Sequence, residues 1–107
     1  MIHPLCDQIV TLYRQSLQGL QRRVVSGCFY SWRRQQTPEG LTESKFLLVL
    51  PAGEDIEIGD RVYDGIGPET VVWEQFLPIN TPGLSQVAYV MPCYFRGALH
   101  HTEAGRK

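Results

Sequence analysis

Hydrophobic and polar positions in this chain alternate with the two-residue period of β-strands, in short segments that Pro and Gly residues separate. Six segments carry this alternation or a short apolar run, namely residues 8–14, 20–33, 45–50, 56–65, 85–91 and 98–103. β-branched and aromatic residues, which favour strands, are frequent in them. The pattern predicts a mainly β protein, a small single-domain β-barrel or sandwich of about six strands.

Residues 69–77 are the one segment with helical spacing. Two pairs of large apolar residues stand four positions apart, Val72 with Phe76 and Trp73 with Leu77. This spacing favours one short helix, although the two adjacent valines suit a strand equally well. The prolines that follow prevent a longer helix.

Local features predict how individual strands begin, end and pack. The uninterrupted apolar run at 45–50 indicates a strand buried on both faces. The Gly59-Asp60 step is expected to start a strand, since Gly accepts positive φ and Asp bonds nearby backbone. Pro92 places the preceding segment at a sheet edge or at a crossing between sheets. Residues 33–44 are polar, contain a turn at 37–40, and predict a mobile loop.

Length and composition indicate one domain, residues 1–107, with its own core. The formal net charge of −1 argues against a protein dedicated to nucleic acid. No apolar run approaches the ~20 residues of a membrane-spanning helix, and the N-terminus lacks the features of a signal peptide, so no membrane partner is expected. Three cysteines without a CxxC pair argue against a disulfide framework or zinc knuckle, which predicts a reducing, cytosolic environment.

The sequence contains little that supports metal binding or catalysis. His100 and His101 are adjacent, but neighbours on a strand point to opposite faces, and no Cys or carboxylate lies at ligand spacing. Cys93 with one of these histidines could act as nucleophile and base, yet no local catalytic signature surrounds it. The acidic run at 54–60 fits a solvated turn. We expect no metal, no cofactor and no enzymatic activity, and an unrecognised enzyme using these three residues is the third alternative.

Two pairs of arginines flank an aromatic stretch, Arg22-Arg23 before it and Arg33-Arg34 after it. Basic residues near aromatic ones occur in small barrels that bind single-stranded nucleic acid. The near-zero net charge favours a simpler interpretation, in which the first pair protects an edge strand and the second solvates a loop. A small nucleic-acid-binding β-barrel is the alternative function.

Four stretches, in order along the chain, resemble small phage and prophage proteins described as minor capsid or head–tail connector proteins. Residues 7–13 resemble their opening D-x-x-T-x-Y strand, and residues 23–30 resemble their R-x-V-x-G-V-x-W strand. Residues 58–65 resemble a G-D-x-V-x-x-G strand, and residues 97–105 resemble the closing G-x-x-H-W-x-V-x-G strand, with His101 in place of its Trp.

The resemblance implies a structural protein of the head–tail connector, or neck. Such chains are similar in size to head-closure proteins, small barrels that form a ring beneath the portal. It implies self-association into a ring and contact with a portal or adaptor protein and with a tail component. It also implies location in the bacterial host cytoplasm during assembly and in the virion neck afterwards.

Two segments are candidates for these contacts. The loop that contains Arg33, Arg34, Gln35 and Gln36 would line the ring channel or reach a neighbour, with its arginines facing packaged double-stranded DNA. An exposed strand would pair with a neighbouring subunit by β-augmentation, either the N-terminal strand or the C-terminal one that contains Leu99, His100, His101 and Thr102.

Overall fold

The structure, a computed structural model, describes residues 7–36, 38–40 and 42–106, and the side chains at 34–36 and 42–44 are outside that description. Seven strands follow one another: β1 (Gln8–Ser16), β2 (Gly19–Gln36), β3 (Thr42–Pro51), β4 (Arg61–Asp64), β5 (Leu84–Gln86), β6 (Tyr89–Phe95) and β7 (Ala98–Arg106). They form an antiparallel sheet in the order β5-β4-β1-β2-β3-β7-β6, which curls into a half-barrel. The predicted mainly β, barrel-like fold is confirmed. Within the described ranges there is no helix with the length and apolar character that a membrane span requires.

Strand β2 changes partners at a bulge. Its first part, residues 19–28, pairs with β1, whereas residues 29–36 pair with β3. The register with β1 slips between Val25 and Cys28, at the end of the first part, and Gly27 there adopts a φ of 73°, a conformation that side-chain-bearing residues rarely take. A bulge bends its strand and increases the local twist. The sheet therefore folds over at this point and turns one face of each half inward.

The backbone between β5 and β6 joins the two ends of the sheet. The Val87 N–H donates to the Asp60 carbonyl oxygen at 2.8 Å, and the Ala88 N–H donates to the Gly105 carbonyl oxygen at 2.8 Å. The chain thus pairs with β4 through β5 and with β7 through β6. Strand β6 therefore lies at an edge of the sheet. This confirms the expectation that a segment interrupted by Pro92 lies at a crossing or an edge.

The core lies between the two halves of the folded sheet. Its largest cluster consists of Val10, Leu12, Val25, Cys28, Tyr30, Phe46, Leu48, Leu50, Ile56, Val62, Val87 and Ala104. Along β3, Phe46, Leu48 and Leu50 point into this core, whereas Leu47 and Val49 are only half-buried on the outer face. The prediction that this strand is buried on both faces is wrong, because no second layer covers the outer face within the part of the chain that is described.

Arg61 organises the long connection between β4 and β5. Its guanidinium is buried, lies 3.7 Å from the centre of the Trp73 ring, and donates to the carbonyl oxygens of Trp73 and Phe76 at 2.6 and 2.7 Å. Burial lowers the pKa of Arg61. The prediction of a helix over 69–77 is wrong. That segment forms turns. The Arg61 guanidinium binds two of its carbonyl oxygens, which a helix would use for its own hydrogen bonds, and the prolines at 78 and 82 prevent a helix from continuing.

The Gly59-Asp60 step starts β4 as predicted. Gly59 has a φ of 96°, and an Asp60 carboxylate oxygen accepts the Glu57 N–H at 2.9 Å. Asp60 is only 4% exposed, and Arg14 donates to both of its oxygens at 2.8 Å. These hydrogen bonds, and the one with the Asp55 carboxylate, raise the pKa of Arg14. The acidic run at 54–60 is therefore partly a buried ion pair that joins β1 to β4, and the prediction of a solvated turn holds only for its exposed members.

Candidate assembly hairpin

The β6–β7 hairpin projects from one end of the sheet. Strand β7 pairs with β3 only from His101 onward, so residues 94–100 extend past the last β3 partner, Pro51, and Cys93, opposite His101, lies level with it. The hairpin closes through Arg96 and Gly97, whose φ angles of 52° and 81° are those of a type I′ turn. This turn matches the twist of two paired strands and sets the register of the hairpin.

The projecting part carries exposed apolar side chains. Tyr94 and Phe95 are 67% and 63% exposed, Leu99 is 37% exposed, and Met91, which precedes this part on β6, is 49% exposed. The Phe95 ring is contacted only by the Arg96 guanidinium and the His100 ring, at 5.4 and 6.3 Å between centres, among the aromatic and cation contacts described. Grouped exposed apolar residues of this kind mark interaction surfaces. We call residues 93–100 the assembly hairpin.

The structure divides the four residues that the sequence assigned to an assembly strand. Leu99 and His100 lie in the assembly hairpin, where the backbone edge that faces away from β6 is open. His101 is half-buried, and Thr102 is buried between its partners Leu50 and Pro92. Strand β7 is thus internal over most of its length. The long open edge of this half of the sheet belongs to β6, which pairs with β7 alone in the residues described.

The predicted loop at 33–44 is mostly strand. Residues 33–36 continue β2 and pair with residues 42–45 of β3, which leaves only 37–41 to connect them. Arg33 is exposed, and Arg34, Gln35 and Gln36 lie at strand positions whose side chains are not described. Because β3 and β7 are antiparallel, this β2–β3 hairpin lies at the opposite end of the sheet from the assembly hairpin.

The other pair of arginines is engaged within the domain. Arg22 donates to the carbonyl oxygens of Gly67 and Pro68 at 2.7 and 3.0 Å. Arg23 donates to the Glu54 carboxylate at 3.1 Å and to the Asp55 carbonyl oxygen. Both side chains thus bind loops to the β1–β2 hairpin, and their guanidinium groups are engaged in hydrogen bonds within the domain.

Three side chains with metal-ligand chemistry meet on the β6–β7 hairpin. The ligand atoms of Cys93, His101 and Glu103 all lie within 4.8 Å of one another. A Glu103 carboxylate oxygen accepts the Cys93 thiol at 3.1 Å and lies 3.3 Å from His101 Nε2. The bond to Glu103 raises the pKa of the Cys93 thiol and lowers the pKa of the Glu103 carboxyl. The sequence reasoning missed this group, because it is assembled across strands.

A second bulge explains why the two histidines lie together. Cys93 pairs with His101 and Tyr94 pairs with Leu99, which leaves His100 as the extra residue. A bulge re-aims side chains, and the Nδ1 atoms of His100 and His101 are 2.8 Å apart. The expectation that these neighbours point to opposite faces is therefore wrong.

A comparison of the chain with family models, with curated proteins and with solved structures finds no match.

Proposed function

We propose that this protein is a structural component of a phage or prophage neck, a head-closure-like connector that assembles into a ring beneath the portal. The observation that carries the proposal is the assembly hairpin, a projecting edge with two aromatic rings that are about two-thirds exposed. Such an edge is unfavourable on an isolated domain and favourable where a second copy covers it. The ordered sequence resemblance supplies the class of assembly.

The position of the two hairpins supports a ring. The assembly hairpin and the β2–β3 hairpin lie at opposite ends of the same half-sheet. Heterologous contacts, in which one end of a subunit meets a different surface of the next, generate closed rings when the rotation closes. We propose that the assembly hairpin contacts the neighbouring copy, and that Arg33 and the rest of the β2–β3 hairpin face the channel, where DNA passes.

A dedicated nucleic-acid-binding role receives less support. Of the arginines that flank the aromatic stretch, Arg22 and Arg23 bond to loops of the same domain. The net charge of −1 supplies little of the electrostatic attraction that drives nucleic-acid binding.

The test is electron microscopy of particles from a phage or prophage that encodes this chain, with a stop codon in its gene. Head closure predicts emptied heads beside separate, complete tails. The same gene supplied from a plasmid should restore joined particles, which controls for effects on neighbouring genes. Normal, tailed, DNA-filled particles in the absence of the protein would contradict the proposal.

A further inference from the structure

The Cys93, His101 and Glu103 side chains converge on one face of the β6–β7 hairpin. Cys93 and His101 are directly opposite each other in the strand register, and Glu103 follows His101 by two positions. Residues two apart on a strand share a face, and directly opposed residues have their Cβ atoms about 4.5–5.5 Å apart. The backbone of β6 and β7 therefore sets the Cβ positions of all three residues before any ligand arrives.

We propose that Cys93, His101 and Glu103 bind one Zn²⁺ ion. In tetrahedral zinc sites the ligand distances are about 2.3 Å to sulfur and about 2.0–2.2 Å to nitrogen or oxygen, which separates neighbouring ligand atoms by about 3.4–3.6 Å. The Cys93 Sγ to Glu103 Oε2 distance is 3.1 Å, and the His101 Nε2 to Glu103 Oε2 distance is 3.3 Å. Small rotations of partly exposed side chains bring these atoms to zinc spacing.

His100 is placed to orient the histidine ligand. Its Nδ1 lies 2.8 Å from His101 Nδ1, on the side of the ring opposite to Nε2. When His101 donates its Nδ1–H to His100, its Nε2 carries the lone pair that faces Glu103 and the ion. Hydrogen bonds of this kind fix the tautomer and ring orientation of metal-binding histidines. The bulge that makes His100 an extra residue thus gives the site its outer support, and His100 is a positioning residue.

The donor set selects among metals. A thiolate and an imidazole favour Zn²⁺ over Mg²⁺ and Ca²⁺, which prefer sites made only of oxygen. Binding forms the sulfur–zinc bond as the Cys93 thiol releases its proton to the buffer, and the thiolate and carboxylate together balance the charge of the ion. Three protein ligands leave a fourth position, which water fills in sites of this type.

The experiment uses the full chain, reduced, stripped of metal and free of any histidine tag. Zn²⁺ is titrated by competition with a chromophoric chelator, and Co²⁺ is titrated as a spectroscopic probe. We expect one ion per chain and a thiolate-to-cobalt charge-transfer band. Cys93→Ser should remove the band, and His101→Asn and Glu103→Gln should each weaken Zn²⁺ binding by about 100-fold or more, while His100→Gln weakens it by about 10-fold.

Matched controls identify the site. Glu57→Gln removes an exposed carboxylate elsewhere, and Cys6→Ser removes another thiol; both should leave Zn²⁺ affinity unchanged. Circular dichroism checks the fold of each variant, which should be retained because the three ligands are partly exposed. Absence of stoichiometric Zn²⁺ binding, or binding that survives both Cys93→Ser and His101→Asn, would overturn the proposal. Neither result depends on whether the protein belongs to a phage neck.

Discussion

The rings of Tyr94 and Phe95 allow the assembly role to be tested without disturbing the fold. These residues are 67% and 63% exposed, so about two-thirds of the surface of each remains in water in the single domain. Complete burial of an aromatic side chain contributes about 1.5–3 kcal/mol, and burial of the exposed part of both rings by a neighbour contributes about 2–4 kcal/mol. The double substitution Tyr94→Ser with Phe95→Ser should therefore weaken subunit association by about 30- to 1,000-fold.

Folding should change much less than association. Substitutions at exposed positions usually alter the free energy of unfolding by about 0.5 kcal/mol each, and 1 kcal/mol shifts the thermal midpoint of a domain this size by about 4–8 °C. Truncation of the C-terminal strand is not an equivalent test, because β7 lies between β3 and β6 and its loss would remove part of the core.

The assay is complementation of a phage or prophage that lacks the gene, with the variant expressed at graded levels from a plasmid. The protein level that gives half-maximal recovery of joined, DNA-filled particles should rise steeply for the hairpin variant. Ile66→Ser with Ile79→Ser is the matched control, since these side chains are 68% and 92% exposed but lie in the β4–β5 connection. Normal complementation by the hairpin variant, or equal loss in both variants, would refute the reasoning.

Four further substitutions test a close backbone contact, the Arg14 ion pairs and the hairpin turn. Gly105→Ala should destabilise the fold by about 1–3 kcal/mol in chemical denaturation, because the new methyl group collides with a β3 carbonyl oxygen; an unchanged midpoint would argue against that close approach. Arg14→Gln should reduce the free energy of unfolding by about 2–3 kcal/mol, since the buried Asp60 carboxylate loses its two guanidinium hydrogen bonds. In the wild type, the Arg14 guanidinium lowers the pKa of Asp55, so this pair stabilises the fold above about pH 4 and its contribution fades as the pH falls through the lowered pKa. Asp55→Asn should flatten that part of the pH–stability curve, and an identical curve would contradict the pairing. Arg96→Asn should raise the free energy of unfolding by about 0.5–1 kcal/mol, and the thermal midpoint with it, because Asn tolerates a positive φ better than Arg; a lower midpoint would speak against the type I′ turn.

Alternation and turn residues were enough to predict the class of fold and the start of β4. The Gly59-Asp60 step predicted a backbone conformation that the structure contains, because the signal is local. The strand extensions at 34–36 and 42–44 were missed because no local pattern marks them. They are polar on both faces, and only hydrogen bonding between β2 and β3 makes them strands.

The candidate metal group required information that no local pattern carries. Recognition of the Arg96-Gly97 turn alone would have aligned Phe95 with Ala98 and, in a regular hairpin, Cys93 with His100. The bulge shifts the register by one residue, so that Cys93 meets His101 and Glu103 joins them on the same face. The presence of Cys, His and Glu on the two strands of one short hairpin is the sequence signal that would have indicated a candidate metal site.

The most direct measurement of the central claim is cryo-electron microscopy of the neck of particles that contain this protein. The account predicts a ring of copies between the portal and the tail, with Tyr94 and Phe95 of each copy buried against the next and the β2–β3 hairpin toward the channel. Absence of the protein from the neck, or a ring in which the assembly hairpin stays in solvent, would contradict the account.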